Sequence, residues 1–308
     1  MVRLSNIPLA IFAYNRPESL KRLLDSLQNC DGYDQADVTI FIDGPRSDAD
    51  LDAVRKTRQV AETLAKPNWV IKADAANKGL RRSISQGVTD VCNRHGRAIV
   101  IEDDLVLSPL ALRYFQDALD RYADEPRVWS ICGYMFQSKK LMQQDSNFFL
   151  PYAHPWGWAT WSRAWSKFQL DSAPLDDRTL NATSFRTMFD AYGISSMVRM
   201  LKLAQKGLVN SWYVQWHRKI VTEGGVCLFP PTSYIENAGI GRGGTHGSAL
   251  NPYNLLVTEQ KIVANRKFSM PDEISIDFAS IDKIKKTQEI RAHKIISFLG
   301  SIKRQLKK

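Results

Sequence analysis

Hydrophobic and polar positions in the first hundred residues follow two alternating rhythms. Ile7–Ala13, Val38–Ile42, Trp69–Ile71 and Ala98–Ile101 are short apolar runs with the length of buried strands. Between them, apolar residues recur at helical spacing. Leu20, Leu23, Leu24 and Leu27 follow Pro17, which suits a first helical turn. Leu51 to Leu64 reads as a second helix, and Leu80, Ile84, Val88 and Val91 mark a third. Strands alternating with helices predict parallel pairing through right-handed crossovers. Ligands of such open sheets bind beyond the carboxyl ends of the strands. The polar signals fall there: Tyr14, Asn15 and Arg16 after the first strand, Asp43 after the second, and Glu102, Asp103 and Asp104 after the fourth.

The pattern is less regular beyond Asp104. Ser108 and Pro109 predict a helix start, with the hydroxyl as N-cap and proline in the first turn. A tryptophan-rich stretch follows, HPWGWATWSRAW, from His154 to Trp165. Its tryptophan spacings give no single helical face, so Trp161 and Trp165 are expected in the core. A helix is predicted from about Phe185 to Gln205, and a glycine-rich loop at Gly239–Gly247. The clearest linker lies between about Asn265 and Asp282.

Composition narrows the class. The chain has 308 residues, 44% of them hydrophobic, enough for a large core. No run approaches the ~18 apolar residues of a membrane span. The N-terminus lacks the pattern of a signal peptide, so a cytoplasmic protein is expected. Cys30, Cys92, Cys132 and Cys227 have no metal-ligand spacing and are expected as free thiols. The net charge of +10 is concentrated at the C-terminus, where nine Lys/Arg and two acids lie between Asp282 and Lys308. The remainder is nearly neutral, which argues against nucleic acid as a partner. In the tail, Ile295, Phe298, Leu299, Ile302 and Leu306 share one helical face, and Lys294, Lys303, Arg304, Lys307 and Lys308 surround it. A basic amphipathic helix suits an anionic membrane surface, so peripheral contact with the cytoplasmic face of an inner membrane is expected through 282–308.

Glu102, Asp103 and Asp104 are the central chemical signal. Adjacent carboxylates repel one another and favour a hard cation, Mn²⁺ or Mg²⁺, held by one or two carboxylates and substrate phosphates. The neighbouring motifs make this specific. AYNRPESLKRLLDSL, FIDGPRSD, NKGLRRSISQGV, IVIEDDLVLSP and HPWGWATWSRAW occur in that order. Together they resemble bacterial family-2-type glycosyltransferases of the GT-A fold. AYNR, IDG, EDDL and the later GRGGTHGS are also similar to the N-acetylglucosaminyltransferase I family. The resemblance implies a GT-A α/β fold, a mainly parallel sheet flanked by helices. It also implies a glycosyltransferase domain over 1–265, with a nucleotide-binding half (about 1–105) and an acceptor half (about 106–265). Residues 266–308 would then be linker and tail.

The resemblance assigns roles residue by residue. Ala13, Tyr14 and Arg16 match the loop that contacts the nucleotide. Asp43 matches an acid that contacts uracil; its other reading is a turn residue before Gly44 and Pro45. Lys78, Arg81 and Arg82 are placed to pair with the diphosphate or the acids, one of the two arginines being solvated. Asp104 matches the direct metal ligand, with Glu102 and Asp103 on ribose, sugar or metal-bound water. His246 matches a late histidine that returns to the metal. Trp156, Gly157 and Trp158 match a segment beside the donor sugar. One departure stands out. The stretch that carries the base in the N-acetylglucosaminyltransferase I family corresponds to Trp212–Trp216, which holds no acid. Asp171, Asp176, Asp177 and Glu223 are the alternative base candidates.

The expected activity is inverting, metal-dependent transfer of a hexosyl or N-acetylhexosaminyl group. The donor would be a nucleotide-sugar, a UDP-sugar by the resemblance. The acceptor would be a hydroxyl of a surface polysaccharide or lipid-linked glycan. Two alternatives are a catalytically inactive binding module of the same fold and a nucleotidyltransferase. The latter usually carries a glycine-rich loop after the first strand, and Ala13–Pro17 has no glycine.

Overall fold

The computed structural model describes residues 6–136, 138–239 and 266–289. Its first third follows the two rhythms of the sequence. β1 (Ile7–Ala13), α1 (Pro17–Gln28), β2 (Ala36–Ile42), α2 (Leu51–Leu64), β3 (Val70–Ala73), α3 (Leu80–His95) and β4 (Arg97–Glu102) succeed one another. The four strands pair in parallel, with Ile7 opposite Ala36 through Ala13 opposite Ile42, and Leu9 opposite Ile99. Alternation along β1 serves two cores. Leu9, Ile11 and Ala13 pack with the buried leucines of α1. Ala10 and Phe12 pack with Ile84, Val88 and Val91 of α3. Leu80 is 51% exposed and does not join them: its position precedes the turn of α3 that meets the sheet.

The remaining elements are β5 (Leu105–Leu107), α4 (Ala111–Arg121), β6 (Val128–Cys132), β7 (Phe148–Leu150), β8 (Trp158–Trp161), α5 (Ser162–Trp165), α6 (Asp177–Asn181), α7 (Thr183–Phe189), α8 (Met197–Gln205), α9 (Trp212–Thr222), β9 (Val226–Phe229) and β10 (Ile235–Asn237). The main sheet has the order β3-β2-β1-β4-β8-β6-β9-β7, and β5 pairs with β10 separately. β8 and β7 run against the other six strands. A mostly parallel sheet with helices on both faces is the architecture the sequence predicts.

Three local expectations change. The helix expected at Ser108 begins at Ala111, with Leu110 as its N-cap. Ser108 is buried and its hydroxyl has no hydrogen-bond partner. Its N–H instead donates to the Tyr234 carbonyl at 2.9 Å, which holds it in the link between β5 and β10. The helix expected over Phe185–Gln205 is split into α7 and α8, because Ala191 (φ 49°) and Tyr192 (φ 56°) are left-handed between them. Residues 266–277, read as linker, run along the sheet edge. Arg266 donates to the carbonyls of Met142 (2.7 Å) and Gln144 (3.0 Å), and Ile276 bridges to Phe149. Residues 278–289 are helical and bury Ile281 and Ile284. The hydrophobic tail positions beyond 289 lie outside the described residues. No helix among the described residues is long and apolar enough to cross a membrane.

Candidate active site

The carboxyl ends of β1, β2, β3 and β4 share one edge, and side chains there are fixed by the turns that follow each strand. After β4, Asp103 is held from β1: its N–H donates to the Phe12 carbonyl at 2.9 Å, and its Oδ2 accepts from the Tyr14 N–H at 3.3 Å. Arg16 closes the cluster, with Nη1 3.0 Å from Asp104 Oδ2 and 3.5 Å from Asp103 Oδ1. This single guanidinium faces Asp103 and Asp104, which adjoin Glu102. Burial, and then the charges of Asp104 and Asp103, hold the Glu102 carboxyl well above the usual carboxylate range, against the pull of Arg16. Burial likewise pushes Asp103 up to about 7, although Arg16 opposes it. The cluster therefore has room for more positive charge than Arg16 supplies.

Asp104 also meets the chain that follows β10. β10 pairs with β5 so that Asn237 lies opposite Leu105, and the Ala238 N–H donates to the Asp104 carbonyl at 2.9 Å. A Cβ on Gly239 would lie 2.8 Å from Asp104 Oδ2, so glycine lets the chain pass close to this carboxylate. His246 lies outside the described residues, seven positions beyond Gly239. Among the described residues no group of three His, Cys, Asp or Glu converges as a complete metal site. The donor set is nevertheless of the right kind: hard carboxylate oxygens suit Mn²⁺ or Mg²⁺ when phosphate oxygens complete the shell.

The other expected residues divide. Ala13 ends β1 and is buried, its carbonyl accepting from the Asp43 N–H at 3.0 Å. Tyr14 and Asn15 are tied to Asp50, at 2.8 Å and 3.0 Å. The Tyr14 hydroxyl also accepts from the Arg46 N–H at 3.0 Å. Asp50, which the sequence reading passed over, thus orders the loop after β1. Nothing in its local sequence distinguishes it from the acids around it.

Asp43 is not free to read a base. Its Oδ1 accepts from the N–H groups of Gly44 (3.0 Å) and Lys78 (2.8 Å). Its Oδ2 accepts from the Asn77 amide (3.0 Å) and the Gly79 N–H (2.8 Å). A carboxylate offers about four lone-pair sites, and all are occupied. Asp43 therefore organises the turn before α3, the structural alternative open at the sequence level. Gly44 belongs to the same node, because a Cβ there would lie 2.5 Å from the Ala76 backbone.

Of the three cations after β3, none touches the acid cluster. Lys78 pairs with Asp74 at 2.8 Å, Arg82 is exposed, and Arg81 reaches Asp171 at 2.9 Å and the Leu170 carbonyl at 2.5 Å. The expected tryptophan pair also separates. Trp158 is 1% exposed and stacks on Trp212 (5.3 Å), so it belongs with Trp161 and Trp165 in the core. Trp156 stays partly exposed against Tyr134 and His154. Gly157 (φ +62°) serves packing: a Cβ there would lie 2.7 Å from Ile235.

The acid-free stretch on α9 is a clamp. The Tyr213 hydroxyl donates to the Ala153 carbonyl at 2.9 Å, and His217 joins the Ala153 N–H (3.4 Å) to the Phe189 carbonyl (2.8 Å). Burial lowers His217 to about 4 and His154 to about 3, so both rings are neutral. Among the base candidates, Asp176 caps α6 by accepting from the Thr179 N–H at 2.7 Å. Asp177 is exposed, and Glu223 pairs with Lys219 at 2.8 Å and Lys167 at 3.7 Å. Asp171 lines a groove with Arg81 and Gln215.

No family model matches the chain, and no curated protein matches it. Among solved structures it is similar to the mannosyltransferase PcManGT from Pyrobaculum calidifontis, in complex with GDP-Man and Mn²⁺. That match has 12% identity and TM-score 0.37, over 72% of this chain and 75% of that one. It is also similar to GalNAc-T7 with UDP, GalNAc and Mn²⁺, at 10% identity and TM-score 0.44, over 73% of this chain and 42% of that one. A third, S. aureus TarS, has 17% identity and TM-score 0.27, over 42% of this chain and 22% of that one. The chain thus spans less than half of the latter two.

Proposed function

We propose that the chain is a metal-dependent glycosyltransferase. It transfers a sugar from a nucleotide-sugar, a UDP-sugar by the motif resemblance, to a glycan hydroxyl. The observation that carries this reading is the acid cluster at the sheet's carboxyl edge, three adjacent carboxyls with Arg16 closing on two of them. A divalent cation would relieve the repulsion in such a cluster, and a nucleoside diphosphate would bring the remaining oxygen ligands. Asp104, the acid at the base of the 240–265 segment, would hold Mn²⁺ or Mg²⁺, with His246 proposed as a second ligand. When bound, that cation offsets charge on the departing diphosphate. Arg16 is placed to share that task once its acids are occupied. Tyr14 and Asn15, fixed by Asp50, present a preordered loop to the nucleoside.

The acceptor hydroxyl loses its proton to a carboxylate, for which Asp171 is proposed, and attacks the anomeric carbon in line, inverting it. The tail beyond 289, read as a basic amphipathic helix, is proposed to keep the enzyme at an anionic membrane beside a lipid-linked or polysaccharide acceptor. An inactive binding module is disfavoured by this cluster, because retaining mutually repelling acids has a stability cost that binding a glycan alone does not require.

Calorimetry with UDP and GDP, with and without Mn²⁺, tests the reading. The expected result is Mn²⁺-dependent binding of UDP that Asp104→Ala abolishes. Asp171→Asn is expected to leave that binding intact and to lower turnover about 10²–10⁴-fold. Absence of nucleotide binding under every metal condition would remove the basis of the proposal.

A further inference from the structure

The link between β2 and α2 is pinned at three points. At its start, Gly44 passes so close to the Ala76 backbone that a Cβ would lie 2.5 Å from it. In its middle, the Arg46 N–H donates to the Tyr14 hydroxyl at 3.0 Å. At its end, the Asp50 carboxylate accepts from the Tyr14 hydroxyl at 2.8 Å and from the Asn15 amide at 3.0 Å. Asp50 stands at the N-cap of α2, yet its side chain makes no capping hydrogen bond. An aspartate at an N-cap ordinarily accepts from a first-turn N–H. Here the carboxylate is engaged by the loop after β1 instead. The two loops therefore form one preordered unit, which lowers the cost of binding a ligand that touches both.

The side chain this unit presents to solvent is Arg46. It is exposed, and its Cζ lies 5.9 Å from the centroid of the Tyr14 ring. Among the described residues its guanidinium makes no ion pair. A planar fork of donors beside an aromatic ring suits a flat ligand with carbonyl acceptors. Asp43, the acid on the same edge, is engaged by Gly44, Asn77, Lys78 and Gly79 and offers nothing to such a ligand. Position along the sheet edge adds to this. The strand order runs β2-β1-β4. Neighbouring strands are about 4.8 Å apart, so the end of β2 lies roughly 10 Å from the end of β4. A nucleotide whose phosphates meet the acids after β4, and which extends across β1, brings its base to Arg46.

We propose that Arg46 is the residue that determines base specificity. Its guanidinium donates to the carbonyl of a keto base, uracil O4 or guanine O6. Cytosine and adenine carry an amino group at the matching position and would meet the guanidinium donor to donor. The inference rests on the nucleotide-sugar reading and adds which bases the site accepts and through which side chain.

The test titrates the full chain by calorimetry with UDP, CDP, GDP and ADP in the presence of Mn²⁺. UDP and CDP share ribose, diphosphate and ring size, so their ratio isolates the C4 edge. UDP is expected to bind about tenfold or more tightly than CDP, or GDP than ADP, the scale of one specific base contact. Arg46→Ala is expected to bring that ratio to within about twofold by weakening the keto nucleotide alone. Its melting temperature is expected to match the parent's, because the bond to Tyr14 comes from the backbone N–H, which alanine retains. The proposal is overturned if the parent does not distinguish keto from amino bases, or if Arg46→Ala keeps the parent's ratio. It is also overturned if Arg46→Ala weakens all four nucleotides by the same factor, which would make Arg46 a phosphate contact. Each of these results leaves the transferase reading standing. A parent that binds none of the four would take both readings down.

Discussion

At the scale of single residues, the acid cluster links charge, stability and metal affinity. Glu102 and Asp103 have carboxyls raised above the usual range, Asp103 to about 7. The folded state therefore favours their protonated forms. The stability they contribute is present in full below the ordinary carboxylate pKa, near 4, and is lost as pH rises through about 7. Without metal, the melting temperature is expected to fall between about pH 5 and pH 8. Added Mn²⁺ should reverse that fall and release protons as it binds. Glu102→Gln should flatten the slope and raise the melting temperature at the alkaline end by a few degrees. Thermal melts across pH, with and without Mn²⁺, check all three. A metal-free melting temperature that rises over this range would show that the acids are not destabilising one another.

At the scale of elements, the turns after β2 and β3 act as one unit through Asp43. Asp43→Ala strands the Asn77 amide and three backbone N–H groups, and is expected to cost about 3 kcal/mol or more of unfolding free energy. Gly44→Ala forces a Cβ to 2.5 Å from Ala76 and is expected to destabilise by a similar, order-of-magnitude amount. Denaturant titration reads both; a base-contacting Asp43 would instead lose nucleotide affinity with stability unchanged. Sequence legibility follows the same line. β1 to β4 and α1 to α3 were readable because each is encoded by its own periodicity. The acid cluster was readable because its residues are contiguous. The role of Asp43 was not, because its partners include backbone N–H groups at 44, 78 and 79, which any residue could supply. The burial of Trp158 is illegible for a related reason. Its local pattern cannot tell a core strand from a ligand-facing loop, and its burial depends on Trp212 and Trp216 more than fifty positions later.

At the scale of the whole molecule, residues 266–289 complete the body. The Tyr122 hydroxyl donates to the Pro271 carbonyl at 2.7 Å, the Tyr234 hydroxyl to the Arg266 carbonyl at 2.9 Å, and Asn147 to the Ser269 carbonyl at 2.9 Å. A chain ending at 265 is expected to melt at least several degrees lower or to aggregate, because Phe149 loses its bridge to Ile276 and Tyr234 loses Phe268. A chain ending at 289 is expected to keep the parent melting temperature. Calorimetric scans of the two truncations separate a structural role for 266–289 from a mere spacer.

The insertion of β8 between β4 and β6 has a consequence for biosynthesis. When β4 leaves the ribosome, one of its edges faces solvent, and its partner Trp158–Trp161 has not yet been made. At ~5–20 residues per second, the wait is on the order of 3–12 s. For that time the nascent N-terminal half presents an apolar, unpaired strand edge, the kind of surface that other chains extend. Expression yield should therefore respond to chaperone supply and translation speed more strongly than the stability of the finished protein would suggest.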